Sequence, residues 1–278
     1  MEKSTNSIVT VTAYPTEETT LETEKNDNQI PSIDSVIKSG VFDRIGFNIN
    51  RSRMLYKDNV SEADASPVMK LEPEHPNTPN YFDWKSTFPQ LQILLDNFHD
   101  IKEEVLSIQS WTPWPEDHFS DGGGADWTVF PFMHTFPAYD SSKMKWIQST
   151  TTHCPKTTAA LKQIPNLRTA LFSRLGPDTL VSSHRGWADL ANHVLRCHCC
   201  LHVPPGDKCG LIVDEEEHIH KEGEIVVFDD SKYHRAYNKT HEERMVLIVD
   251  ILRPPDVLPG CAKGGHTSEL DKFIDLFK

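Results

Sequence analysis

The chain has 278 residues, 37% of them hydrophobic, and a formal net charge of −13. That length supports a substantial core, as one domain or one domain with extensions. The acid excess argues against nucleic-acid binding by phosphate neutralisation and against docking on anionic lipid, and it fits a small-molecule or basic-peptide substrate.

In chain order, residues 1 to about 32 are polar, rich in Thr and Glu and without sustained periodicity. They read as a loosely attached tail, with a short strand at Ile8 to Ala13 as the alternative. They contain no apolar segment followed by a small-residue cleavage site, which argues against a secretory signal. From residue 33 to 80 the composition is mixed, with Pro73, Pro76 and Pro79 as punctuation, and predicts short elements wrapping a core. From Pro89, the apolar residues Leu91, Leu94, Leu95, Phe98, Ile101, Val105 and Ile108 recur at helical steps. A second helix is predicted over Pro155 to Ile164 and a third over Ser268 to Phe277.

From Leu167 the texture changes to short apolar runs between turn signals: LRTALFS, TLVSSH, VLRCHCCLHV, LIVD, EIVVFDD and RMVLIVDIL. Strands of this length and spacing predict a mainly β fold with flanking helices, its core an antiparallel barrel or jelly roll over about 165–253. Residues 33–278 then form a single domain behind the tail. The six cysteines, Cys154, Cys197, Cys199, Cys200, Cys209 and Cys261, lack the even spread of a secreted disulfide framework. No run of about 18 apolar residues occurs. Both features fit a cytoplasmic protein.

The chemistry-bearing residues lie in this second half. His184 ends TLVSSH and opens His184-Arg185-Gly186; His234 follows EIVVFDDSKY, and Arg244 comes ten residues after it. Two neutral imidazoles suit iron(II), and the open coordination positions admit a chelating co-substrate and oxygen. An arginine offers two-pronged binding to the far carboxylate of a dicarboxylic acid. In most such sites the first motif is His-x-Asp or His-x-Glu. Here the third residue is Gly186, so the residues alone leave open a two-histidine site or no site.

FDDSKYH with Arg244 beyond it, LRCHCCLHVP and SRLGPDTLVSSHRG together resemble the aspartyl/asparaginyl β-hydroxylase family, over roughly residues 80 to 253. The resemblance implies a double-stranded β-helix of the cupin type and makes the glycine of His-x-Gly an expected feature. It implies that His184 and His234 ligate iron(II). It implies that Ser173 and Arg244 hold the distal carboxylate of 2-oxoglutarate, and that Arg196 and His198 hold the carboxylate nearer the metal. The implied reaction is hydroxylation of an amino-acid-type substrate (peptide side chain, free amino acid or specialised metabolite) by O2, with 2-oxoglutarate converted to succinate and CO2. Halogenation at the carboxylate-free iron and a silent 2-oxoglutarate-binding module are the alternatives. The segment Arg185 to Leu195 looks longer than the family's pattern and lies beside the iron.

Strand alternation puts Arg196, His198, Cys200 and His202 on one face and Cys197, Cys199 and Leu201 on the other. Buried Arg and His need a charged partner, and a bound dicarboxylate is one. Adjacent cysteines on opposite faces fit buried hydrophobes better than a zinc site. His218 and His220 read as an exposed turn, and Asp189 as a remote candidate for a late ligand. Asp229 and Asp230 read as either a solvated turn or groups that orient a neighbouring histidine. Trp127 reads as core more than pocket, and Gly122-Gly123-Gly124 as a loop or lid.

Overall fold

Apolar alternation beyond Leu167 produces two facing antiparallel sheets. The computed structural model describes residues 78–116 and 126–277. The polar tail, the short strand at Ile8 to Ala13, the wrapping segment up to residue 77 and Gly122-Gly123-Gly124 lie outside the described residues.

The first elements are β1 (Tyr81–Phe82), α1 (Trp84–Thr87), a 3-10 turn (Pro89–Leu91), α2 (Gln92–Asp96), α3 (Phe98–Ser107) and β2 (Thr112–Pro113). Next come β3 (Trp127–Thr135), a 3-10 turn (Ser141–Lys143), β4 (Met144–Trp146), α4 (Gln148–His153) and α5 (Pro155–Leu161). The barrel strands are β5 (Leu167–Leu175), β6 (Thr179–Leu180), β7 (Val194–His202), β8 (Cys209–Val213), β9 (Glu216–Ile219), β10 (Ile225–Phe228), β11 (His234–Asn238) and β12 (Arg244–Leu252). The short helix α6 (Ala188–Ala191) sits between β6 and β7, and α7 (Ser268–Asp275) comes last.

One sheet has eight strands in the order β1-β10-β7-β12-β5-β3-β2, with β4 paired to β3. The other has four, in the order β6-β11-β8-β9. From β5 onward the chain steps between the sheets, so β5, β7, β10 and β12 lie in one while β6, β8, β9 and β11 lie in the other. This is the double-stranded β-helix, and it matches the expected fold class.

Register decides what each face carries. Asp250 on β12 lies opposite Arg196 on β7 and Thr169 on β5, and Ile248 lies opposite His198 and Leu171. Val246 lies opposite Cys200 and Ser173 in the next row. These rows face the smaller sheet. The alternate residues Cys197, Cys199, Leu201, Leu247, Val249, Ile251 and Phe172 face outward and bury against Leu91, Leu94, Ile101, Val105 and Leu161. The strand alternation expected from Leu195 holds through Leu201, but a register shift between Met245 and Val246 sets His202 opposite Met245, on the helix-covered face instead of with Arg196, His198 and Cys200. All six cysteines are free.

The helix expected from Pro89 to Ile108 is broken between α2 and α3. Asn97 donates its side-chain amide to the Ile93 carbonyl at 2.8 Å, and it leaves the helical region at φ −107°. Such local side-chain bonding competes with helix continuation. The strand expected over TLVSSH is also shorter; Thr179–Leu180 pairs, Val181 adds one bond to Ala236, and pairing resumes at an isolated bridge at His184. No helix among the described residues is long and apolar enough to cross a membrane.

Ile101 is fully buried between α3 and the outer sheet face. Ile101→Ala is expected to lower unfolding stability by about 2–5 kcal/mol, the usual range for an aliphatic core truncation. Urea denaturation checks this, and an unchanged midpoint would contradict the packing assigned to α3.

Candidate active site

His184 and His234 meet across an isolated bridge between the β6 end and β11. Each backbone N–H donates to the other's carbonyl, at 2.9 and 2.8 Å. Their rings lie 4.3 Å apart, centroid to centroid. The Nδ1 of His184 lies 2.8 Å from the Ser182 carbonyl, and that of His234 lies 2.9 Å from the Lys232 carbonyl. A carbonyl accepts only, so each Nδ1 carries the proton and each Nε2 keeps its lone pair. Burial, with His234 as a secondary influence, pushes the His184 pKa down to about 3. Burial likewise pushes His234 down to about 4. Two neutral imidazoles in the Nδ1–H tautomer are the form a metal ligand takes, with the second nitrogen fixed by a backbone acceptor. The donor set therefore fits iron(II).

Gly186 stands beside the pair for a steric reason. A Cβ there would lie 2.0 Å from Asp230 Oδ2 and 2.7 Å from the Ala191 Cβ on α6. The carboxylate of Asp230 fills the space a longer residue would need. Asp230 is fully buried; its Oδ1 lies 3.3 Å from His234 Nε2 and 2.6 Å from an Arg196 Nη. Burial raises its pKa to about 6, against the opposing pull of Arg196.

Asp229 does different work. It accepts from the Ser231 N–H and hydroxyl and pairs with Arg253, so it builds the turn that delivers His234. Lys232 ties the same turn to the Thr78 carbonyl and to Asn80. The solvated-turn reading of the two aspartates is thus corrected, since both are buried and the second touches a predicted ligand. Asp189 lies 3.2 Å from His266, its ion-pair partner. Among the described residues, no three His, Cys, Asp or Glu side chains converge as a metal-binding group.

Arg196 and His198 both face inward, with different surroundings. Arg196 donates through Nε and Nη2 to Asp250, and Asp250 also accepts from Thr169. Burial opposes its charge, but Asp230 and Asp250 outweigh that and raise its pKa. The charged partner expected from a bound dicarboxylate is therefore supplied, for Arg196, by the protein itself. The Nδ1 of buried His198 meets no partner, and the Nε and Nη1 of buried Arg244 meet none either. Burial pushes the Arg244 pKa down to about 10. Buried polar groups are normally satisfied, and an exception calls for a ligand. Arg244 and His198 thus fit a bound carboxylate by the observation of their own orphaned nitrogens. Ser173 accepts a hydrogen bond from Trp127 Nε1 at 3.1 Å.

The His218-His220 reading is also corrected. Leu211 on β8 lies opposite His218, and the His220 N–H donates to the Cys209 carbonyl, so the alternation turns both rings inward. His220 is buried beside the His198 ring at 5.5 Å, and both of its nitrogens lack a partner. The signal was present as a period-two pair, His-x-His, at the end of a strand; the neighbouring Asp, Glu and Lys residues masked it as a turn.

A small open pocket lies beside His184, lined by Trp114, Trp127, Trp187, Leu171, Ile248 and Arg196 among others. Trp114 stacks on Trp127 at 4.6 Å and on Trp187 at 6.1 Å. Trp127 is thus a pocket wall more than core, contrary to expectation. Leu270 and Phe273 of α7 pack behind this wall with Val129.

The comparisons agree with the motifs. The family model described as aspartyl/asparaginyl beta-hydroxylase matches residues 95–254. The "Ornithine lipid ester-linked acyl 2-hydroxylase" of Rhizobium tropici is 34% identical over 177 residues, covering 61% of this chain and 59% of the relative. The "Aspartate beta-hydroxylase domain-containing protein 2" of Xenopus tropicalis is 28% identical over 200 residues, covering 68% of this chain and 50% of the relative. The chain thus spans little more than half the length of these relatives. Among solved structures, a 2OG-Fe(II) oxygenase family oxidoreductase of Burkholderia pseudomallei is 12% identical, at a TM-score of 0.42, covering 61% of this chain and 83% of that one. A Pseudomonas putida prolyl-4-hydroxylase is 13% identical, at a TM-score of 0.36, covering 59% and 87%. The matched residues span the barrel strands, both histidines and Arg244, and the chain belongs to the aspartyl/asparaginyl β-hydroxylase family.

Proposed function

We propose that the protein is an iron(II)- and 2-oxoglutarate-dependent hydroxylase. The observation that carries this reading is the bridged pair His184 and His234, each with Nδ1 on a backbone carbonyl, close to the unpartnered nitrogens of Arg244 and His198. His184 and His234 would hold iron through Nε2. Arg244 and Ser173 would bind the distal carboxylate of 2-oxoglutarate, and His198 the end nearer the metal. Arg196 belongs with His198 in this reading, and it also steers Asp230. Bound iron and 2-oxoglutarate together supply the oxidising power for C–H hydroxylation by O2, yielding succinate and CO2.

The chain's own residues do the rest. The two backbone-anchored rings hold their lone pairs at a fixed separation, so no reorganisation is needed when metal binds. Asp230 is held beside His234 by Arg196, where it can accept a hydrogen bond from a water in the space next to Gly186. That same carboxylate weighs against halogenation, because a halide placed there would face an anionic neighbour. The tryptophan wall excludes water from the space beside His184 and presents an apolar surface to substrate.

The apolar wall favours a substrate with a hydrocarbon segment at the reacting position. The Rhizobium relative is named for hydroxylating an ester-linked acyl chain of ornithine lipid. An acyl chain carried on an amino-acid head combines that hydrocarbon with the amino-acid character expected from the motifs. It is the substrate class we favour over a free amino acid or a peptide side chain. A cytoplasmic, reducing location is consistent with six free thiols.

Succinate formation is measured with iron(II), 2-oxoglutarate and a panel of acyl amino acids, free amino acids and peptides. The wild type is expected to turn over with the first class, and His184→Ala and His234→Ala each to lose essentially all activity; full turnover in both variants would remove the metal assignment. Arg244→Ala is expected to raise the 2-oxoglutarate requirement by at least about tenfold, the loss of one charge-assisted pair; an unchanged KM would refute its role. Gly186→Asp is expected to abolish activity and lower Tm instead of completing a facial triad, because its side chain collides with Asp230. A fully active Gly186→Asp enzyme would show that the space is not closed.

A further inference from the structure

Three basic side chains from different strands meet in the barrel interior. His198 lies on β7, Arg244 opens β12, and His220 directly follows β9. Their exposures are 4%, 1% and 2%. Between them, five nitrogens have no hydrogen-bond partner: His198 Nδ1, both nitrogens of His220, and Nε and Nη1 of Arg244. Groups this buried are ordinarily satisfied, and the count at one place is large. The groups that act electrostatically on His220 are Arg244 and His218, and neither is acidic. Those acting on Arg244 are the thiols of Cys200 and Cys209. Unlike Arg196, this cluster has no carboxylate of its own.

The positions within the cluster can be ordered. The His198 ring touches His220 on one side, at 5.5 Å, and Phe228 on the other, at 5.1 Å, and Phe228 in turn touches the predicted iron ligand His234 at 5.3 Å, so His198 sits between the two ends of the site. The His220 N–H bonds to Cys209, which lies opposite Asn238, whereas His234 lies opposite Val213 at the other end of the same strand pair, so His220 belongs to the end away from the metal. The T-shaped contact between the His198 and His220 rings, at 5.5 Å and 67°, holds His220 in place. Its backbone is fixed by the bond to Cys209.

We propose that His220 is a further co-substrate-binding residue, donating an imidazole N–H to the distal carboxylate of 2-oxoglutarate beside Arg244. The proposal rests on the oxygenase reading given above and adds to it a third basic group at the carboxylate end. It also gives the His-x-His pair a purpose, since only the inward alternation at the β9 end brings position 220 to this place.

The test is calorimetric binding to the full chain loaded with iron(II) under anaerobic conditions, so that no turnover intervenes. Two ligands are compared: 2-oxoglutarate, and 2-oxobutyrate, which keeps the keto acid but lacks the distal carboxylate. His220→Phe is expected to weaken 2-oxoglutarate binding by about tenfold or more and to leave 2-oxobutyrate unchanged. His220→Asn keeps an N–H donor and is expected to stay within about threefold of the wild type for both ligands. Unchanged 2-oxoglutarate affinity in His220→Phe overturns the proposal. Equal loss of both ligands overturns it too, because that pattern marks a structural role. A wild-type protein that binds neither ligand would instead sink the oxygenase reading, and this inference with it.

Discussion

A carboxylate with no exposure to solvent, Asp230, is the constraint on which the candidate site turns. An isolated buried carboxylate is expensive, and this one is tolerated because Arg196 lies 2.6 Å away; the neutral Nε2 of His234, at 3.3 Å, adds no charge to offset it. Arg196 is itself largely withdrawn from solvent and is held by Asp250, which also bonds Thr169. The chain of contacts therefore runs Thr169, Asp250, Arg196, Asp230, His234, and it crosses from the large sheet to the small one. Removing Arg196 would leave two buried carboxylates without a cation, so the network fixes how the two sheets face each other at the histidine pair. Gly186 follows from the same constraint, since a side chain there would occupy the space of the carboxylate.

The interior thus has two kinds of polar group. Near the histidines, charges are matched within the protein, as Arg196 shows. Farther along the same inward face, His198, His220 and Arg244 are not matched. A fold has no stabilising reason to collect unmatched donors, because each lowers the stability of the empty protein. Their clustering on one side of a paired network is the signature of a site made for a ligand whose charge the protein withholds from itself. The same logic separates Arg196 from Arg244, two inward-facing arginines that look equivalent in sequence.

Much of this was legible in the chain. The short apolar runs between turn signals gave the barrel strands, and RMVLIVDIL coincides with β12. The family resemblance implied that His184 and His234 act together, and the structure brings their rings to 4.3 Å. Other features were hidden for physical reasons. The break at Asn97 depends on a side chain competing for a backbone carbonyl, which helical periodicity does not register. The strand β3 begins at Trp127 and contains Pro131, a residue that lowers strand propensity, so its run was not counted as a strand. The partners of Arg196 lie 34 and 54 residues away, at positions 230 and 250, and only the register between β7 and β12 brings Asp250 opposite it. His220 was concealed by its charged neighbours, because local polarity suggests exposure while strand alternation directs the ring inward.

In the proposed reading, the two ends of the interior would divide the labour between co-substrate and substrate. The tryptophan wall, Leu171 and Ile248 border the His184 side of the cavity. His198 shares the strand row of Ile248 and Leu171, and the row beyond it carries Cys200, Val246 and Ser173 before Arg244 begins β12. An apolar surface and a set of unmatched basic donors are poor neighbours for one ligand, but they suit two ligands that approach the same histidines from different directions. Ser173 links the halves, since its hydroxyl accepts from Trp127 Nε1 while its strand row leads toward Arg244. A carboxylate drawing on the Ser173 hydroxyl proton would leave its oxygen lone pairs to the indole N–H. Filling the co-substrate end would then orient the first tryptophan of the substrate wall.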